Sequence, residues 1–276
     1  MRFRPRHACP ACLLICLALL PVTHAAAPER AQAGFTLQQV LDYPFPSDLV
    51  SAKDGERIAW VIDLRGARNV WVAAGPDFIP SQITHFDKDD GREITQLTFS
   101  PSGDALVFVR GGDHDANWPA EGGLAPDPAS NPDEPKVAIW AVDLSHGTPH
   151  EVTEGDAPAL SAQDQLVYIK DDQVWTAPLA YSDKGKHADD GNGDKKHKDK
   201  ENNKGKNEDK SKPRRLFFDR GKDSELRWSP DGNQLAFVSD RDDHAFIGIY
   251  ADDKTPLLYL APSTDRDASP RWSPDG

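Results

Sequence analysis

The sequence predicts an all-β chain, a β-propeller of four-stranded antiparallel blades that is incomplete: about four blades and the start of a fifth. Three observations carry that expectation. First, a turn motif recurs: Leu226-Arg227-Trp228-Ser229-Pro230-Asp231-Gly232 leads into Leu235-Ala236-Phe237-Val238, and Leu97-Thr98-Phe99-Ser100-Pro101-Ser102-Gly103 leads into Leu106-Val107-Phe108-Val109. Weaker copies run from Leu49 to Val61 and from Leu160 to Ile169, and a fifth opens at Arg271 to Gly276. Second, two more apolar runs follow most copies, so each unit holds four strands. Third, the shortest repeat distance is 44 residues, from Ser229 to Ser273, which is the length of one blade. A β-sandwich with recurrent Pro-Gly turns is the rival architecture.

The motif explains its own conformation. Proline presets φ for the first turn position, Asp or Ser bonds the local backbone, and Gly takes a left-handed conformation that a side chain resists by about 1–2 kcal/mol. Each copy is therefore a hairpin, and a blade with two apolar faces must stack on its neighbours. Four blades and the opening of a fifth make an unfinished ring. The exposed edge of the fifth copy is a template for association, so the free chain is expected to self-associate.

Taken from its start, residues 1–25 read as a secretory signal peptide. Arg2, Arg4 and Arg6 precede the apolar run Leu13 to Leu20, and Thr23-His24-Ala25 forms a small-residue cleavage site. The run is too short to span a bilayer. All three cysteines, Cys9, Cys12 and Cys16, fall inside this segment, so the expected mature protein is free of cysteine, periplasmic or secreted, and held by packing instead of disulfides. Residues 26–46 form a lead with a short amphipathic helix from Thr36 to Asp42, its apolar face Leu37, Val40 and Leu41, stopped by Pro44. The partial propeller occupies 47–276.

Two insertions interrupt it. Residues 111–136 join the second and third strands of a blade and carry His114, Asn117 and Trp118, candidates for contact with a substrate or a neighbouring domain. Residues 182–212 join the third and fourth strands of the next blade, and so leave from the opposite face. They hold no aromatic and no aliphatic side chain larger than Ala, which predicts disorder. Asp190, Asn192, Asp194 and Glu201 match a calcium-loop spacing, but Lys195 stands where the loop needs Gly and no helix flanks it, which favours a solvated linker. No metal or other cofactor is expected. A formal charge of −13 with no Lys/Arg-rich face excludes nucleic acid as the main partner and, once the signal is cleaved, an anionic membrane surface.

With these residues in view, the chain resembles the propeller half of serine peptidases of the prolyl oligopeptidase family (S9), in its dipeptidyl-peptidase-like and acylaminoacyl-peptidase-like branch. Trp228-Ser-Pro-Asp-Gly232 with Ser239-Asp240-Arg241, the segment Phe35 to Pro44, and the loop Gly111 to Pro119 carry the resemblance. TolB-like periplasmic propellers share the repeat alone. The resemblance implies a cap that admits short peptides to an α/β-hydrolase domain bearing Ser, Asp and His. No Gly-x-Ser-x-Gly elbow occurs in these 276 residues, so no catalytic residue is assigned. The expected partners are short peptides and the missing hydrolase domain, with 111–136 facing that domain and 182–212 facing solvent. The alternative is a non-enzymatic TolB-like periplasmic propeller that binds protein partners.

Overall fold

The computed structural model describes residues 34–53, 55–111, 136–145, 147–181 and 212–276. Helix α1 (Leu37–Leu41) opens the described chain, with Thr36 as its N-cap in a capping box: Thr36 Oγ1 accepts from the Gln39 amide, and Gln39 Oε1 accepts from the Thr36 amide. Its apolar face is not buried. Leu37, Val40 and Leu41 are all exposed, and the Arg65–Asp42 ion pair ties the helix to blade 1.

Among the described residues, sixteen strands then form four antiparallel meanders. Blade 1 holds β1 (Phe45–Ser51), β2 (Arg57–Leu64), β3 (Ala67–Ala74) and β4 (Ser81–Gln82). Blade 2 holds β5 (Ile94–Phe99), β6 (Ala105–Arg110), β7 (Ala138–Asp143) and β8 (His150–Glu154). Blade 3 holds β9 (Asp156–Leu160), β10 (Leu166–Lys170), β11 (Gln173–Ala177) and β12 (Arg214–Arg215). Blade 4 holds β13 (Lys222–Trp228), β14 (Leu235–Asp240), β15 (Ala245–Tyr250) and β16 (Leu258–Tyr259). The first strands β1, β5, β9 and β13 lie beside one another in that order, so the blades fan about a common axis.

Alternating side chains build the core between blades. On β6, Leu106 and Phe108 point to blade 1, where they join Ala59, Val61, Val70 and Val72, while Val107 and Val109 point to Leu166 and Tyr168 of blade 3. Every residue of β6 is buried, as a strand covered on both faces must be. A third cluster joins Val167, Val174 and Leu216 of blade 3 to Leu226, Leu235, Phe237 and Tyr250 of blade 4. The second strand thus sends an aromatic toward the preceding blade and smaller residues toward the following one.

Each hairpin turn repeats in atomic detail. The amides of Ala52, Ser100, Ser161 and Ser229 donate across the turn to the carbonyls of Arg57, Ala105, Gln165 and Gln234. Where the turn begins with Ser, its Oγ also accepts a strand amide: Ala105 at 3.1 Å, Gln165 at 3.1 Å, Gln234 at 2.9 Å. Gly55, Gly103 and Gly232 have φ of +75°, +74° and +70°. Blade 3 lacks the glycine and places Asp164 there at φ 61°, a residue type that tolerates this region. The fifth copy closes its turn through Gly276 N to Ser273 O but forms no strand; Trp272 Nε1 instead donates to Arg227 O of blade 4 at 2.9 Å.

Candidate functional site

Two surfaces concentrate chemistry, one at each end of the axis. At the turn end, residues from all four blades, among them Ser51, Phe99, Ser161 and Trp228, line one cavity of about 520 Å³. Each first strand carries a bulge before it reaches this cavity. Asp48, Gln96, Ala157 and Glu225 occupy the same blade position with φ of 53°, 56°, 49° and 52°, and the strand register slips beside each. The bulges link the blades. Leu97 N donates to Asp48 Oδ2 at 3.0 Å, Gln96 Nε2 to Asp156 Oδ1 at 2.9 Å, and Trp228 Nε1 to Ala159 O at 3.3 Å. None of these residues is glycine, so sequence reasoning missed the bulges; the signal that could have found them is a polar or small residue three positions before each turn segment.

At the opposite end, where the second strands finish, charged groups meet at each blade junction. Between blades 1 and 2, Arg110 is buried under the Phe86 ring, 4.1 Å from its centroid, and its Nη2 donates to Asp90 Oδ2 at 2.5 Å. Burial lowers the Arg110 pKa, and Asp90 partly offsets it. Between blades 2 and 3, Lys170 Nζ lies 3.6 Å from Glu154, which Lys136 also contacts. Between blades 3 and 4, Asp219 collects Ser239 Oγ, Tyr259 Oη, Arg241 Nη2 at 3.2 Å and Gly221 N at 3.2 Å. Burial by itself would raise its carboxyl, but the bonds from Ser239 and Tyr259 and the Arg220 and Gly221 amides outweigh it and bring Asp219 down to about 2. Asp90 and Asp219 each stand nine residues before the aromatic that opens the turn, Phe99 and Trp228. That spacing is a legible signal, and it was missed.

An apolar patch borders this same end. Phe35, Leu37, Val40, Leu41, Tyr43 and Phe45 are exposed, and most of them line a cavity of about 980 Å³ with Asp63, Arg65 and Asp89.

His114, Asn117 and Trp118 lie outside the described residues, as do Asp190, Asn192, Asp194, Glu201 and the expected signal peptide. What the structure places is the anchors. Gly111 and Lys136 flank the connection from β6 to β7 at the charged end, and Tyr181 and Lys212 flank the connection from β11 to β12 at the turn end. Gly111, at φ +109°, leaves no room for a side chain: a Cβ there would lie 2.2 Å from Lys136 O. Among the described residues, no group of three or more His, Cys, Asp and Glu side chains is placed to hold a metal ion, and no helix is long and apolar enough to cross a membrane.

The fold and its axial surfaces define a stack of propeller blades. No family model matches the chain. It is 32% identical over 108 residues to dipeptidyl aminopeptidase BIII of Pseudoxanthomonas mexicana, a match covering 37% of this chain and 15% of that protein. Among solved structures it is similar to TolB from Acinetobacter baumannii (15% identity, TM-score 0.46, covering 80% of this chain and 44% of that one). It is also similar to a Mycobacterium tuberculosis puromycin-hydrolyzing peptidase (16%, 0.48, 79% and 31%) and to Porphyromonas gingivalis dipeptidyl peptidase 4 (14%, 0.47, 78% and 32%). The chain spans less than half the length of each of these. The resemblance to the propeller region of prolyl oligopeptidase-type peptidases thus has a sequence match beside it.

Proposed function

We propose that the chain is the propeller part of an exported serine peptidase of the prolyl oligopeptidase type. In this role it caps a catalytic chamber, admits short peptides through a narrow opening and excludes folded proteins, while a hydrolase domain elsewhere in the polypeptide supplies the nucleophile. The sequence match to a dipeptidyl aminopeptidase carries the reading. The open face of blade 1 supports it. Leu106, Phe108, Leu166, Tyr168, Leu235 and Phe237 are fully buried against a preceding blade, whereas the equivalent Ile58 and Trp60 are only half-buried, with Trp71 directly opposite Trp60. That face has the composition of a blade interface, and among the described residues no blade packs on it.

The test compares this chain with the polypeptide encoded by the continuous reading frame, using chromogenic dipeptidyl substrates and a folded protein substrate. The chain alone is expected to be inactive, the longer polypeptide to cleave the short substrates and spare the folded one. A frame that closes the ring and stops, with no hydrolysis by its product, would overturn the proposal in favour of a TolB-like scaffold that binds protein partners.

A further inference from the structure

Two carboxyl groups are buried together where blade 4 meets blade 3, and only one of them has donors. Asp219 is 5% exposed and Asp223 is 4% exposed. The oxygens of Asp219 are saturated by the hydroxyls, the guanidinium and the amide described above. Asp223 begins its blade: its amide donates to Asp172 O at 2.8 Å, and it stands directly opposite Ser239 in the β13–β14 register. Neither oxygen of its side chain makes a hydrogen bond of good geometry, and the Val174 amide acts on the carboxyl only weakly. An ionised carboxylate so placed would lose its hydration with nothing in exchange, and proteins avoid this by keeping the proton.

The surroundings are mixed in charge. Blade 3 contributes Asp172 and Arg215; the connection to blade 4 contributes Asp219 and Arg220; blade 4 contributes Lys222, Ser239, Arg241, Tyr259 and, farther along β13, Glu225. Burial, then the negative charge and contact of Asp219, push the Asp223 carboxyl up to about 8, with the Val174 amide and Arg215 pulling more weakly the other way.

We propose that Asp223, buried without a good hydrogen bond beside ionised Asp219 where blade 4 begins, keeps its proton in the folded protein, so that the fold loses stability as the medium turns alkaline. The direction follows from linkage. In the unfolded chain Asp223 titrates at about 3.9, so unfolding releases a proton between that value and the folded one. The contribution is complete below about pH 4 and is shed as pH rises through about 8.

Thermal melts of the full chain at pH 5 and pH 9, with and without Asp223→Asn, test this. The amide of Asn donates to Asp219 as the acid proton does and cannot be titrated away. The margin by which the variant melts above the unmodified protein is expected to be wider at pH 9 than at pH 5 by about 3 °C or more. Identical slopes with pH would overturn the proposal. Should the variant fail to fold, infrared spectra of the unmodified chain decide: a protonated carboxyl carbonyl band at pH 6 that bleaches between pH 7 and pH 9 is expected, and its absence refutes the inference.

Discussion

The junction of blades 1 and 2 and that of blades 3 and 4 are alike in their apolar parts and opposite in their charged rims. Both pair an aliphatic and an aromatic from the second strand, Leu106 with Phe108 and Leu235 with Phe237, against apolar residues contributed by the blade before. At the rim, one matches a buried Arg110 with Asp90, and the other gathers two acids, Asp219 and Asp223, with Arg241 displaced along the chain. The apolar layer is what holds the blades together, so it recurs. The rim contributes less and is free to vary, which is where the two junctions acquire different responses to pH.

Substitutions in the shared layer should have the largest effect and test whether that layer is equivalent around the stack. Phe237→Ala removes a fully buried ring and should cost about 3–5 kcal/mol in denaturant unfolding, as should Phe108→Ala. Trp60→Ala, at the same blade position on the open face, should cost less than half as much. A loss at Trp60 as large as at Phe237 would show that the open face is already covered in solution.

The turns offer a finer comparison. A Cβ on Gly232 would sit 2.2 Å from Gln163 Oε1 and 2.9 Å from the Ala162 amide, whereas one on Gly103 meets Ala52 Cβ at 3.4 Å and Arg57 Nη1 at 3.9 Å, both contact distances without a clash. Gly103→Ala should therefore carry only the left-handed strain, about 1–2 kcal/mol, and Gly232→Ala that strain plus a displaced neighbouring turn. Equal midpoints for the two variants in urea would sink the distinction.

Asp219→Asn should have an effect of the same order as the turn variants at neutral pH, and one that fades toward low pH. The carboxyl is held at about 2, below the unfolded value of about 3.9, so its contribution is present above pH 4 and lost as pH falls through 2. The variant is expected to lose about 2 kcal/mol at pH 6 and progressively less toward pH 2. A deficit that stays constant down to pH 2 would mean that Asp219 acts through packing alone.

Much of this architecture is legible in the residues. Pro230 and Gly232 specify a turn locally, and the alternation in Leu235 to Val238 specifies a strand with two buried faces; both are properties of a few neighbouring side chains. Helix α1 shows the limit. Its capping residue and its stop at Pro44 are readable from sequence, yet the face of Leu37, Val40 and Leu41 is exposed, because amphipathic spacing states that a surface wants cover and not what covers it. The bulges at Asp48, Gln96, Ala157 and Glu225 left little trace, since unrelated side chains are held in the left-handed region by the surrounding sheet. The charged rim depends on residues far apart along the chain, such as Arg110 with Asp90 and Asp219 with Ser239 and Tyr259, which no local motif announces.

The amino-acid order by itself determined the strands, the turns and their repetition as blades, because hairpins form from residues close in the chain and their apolar faces require partners. Only the tertiary structure decided which acids share a junction, which of them is left without a donor, and which face of blade 1 stays open. Those are outcomes of stacking: Asp172, Asp219, Asp223 and Ser239 come together only when two blades close on one another and exclude the water that would otherwise have made their differences invisible.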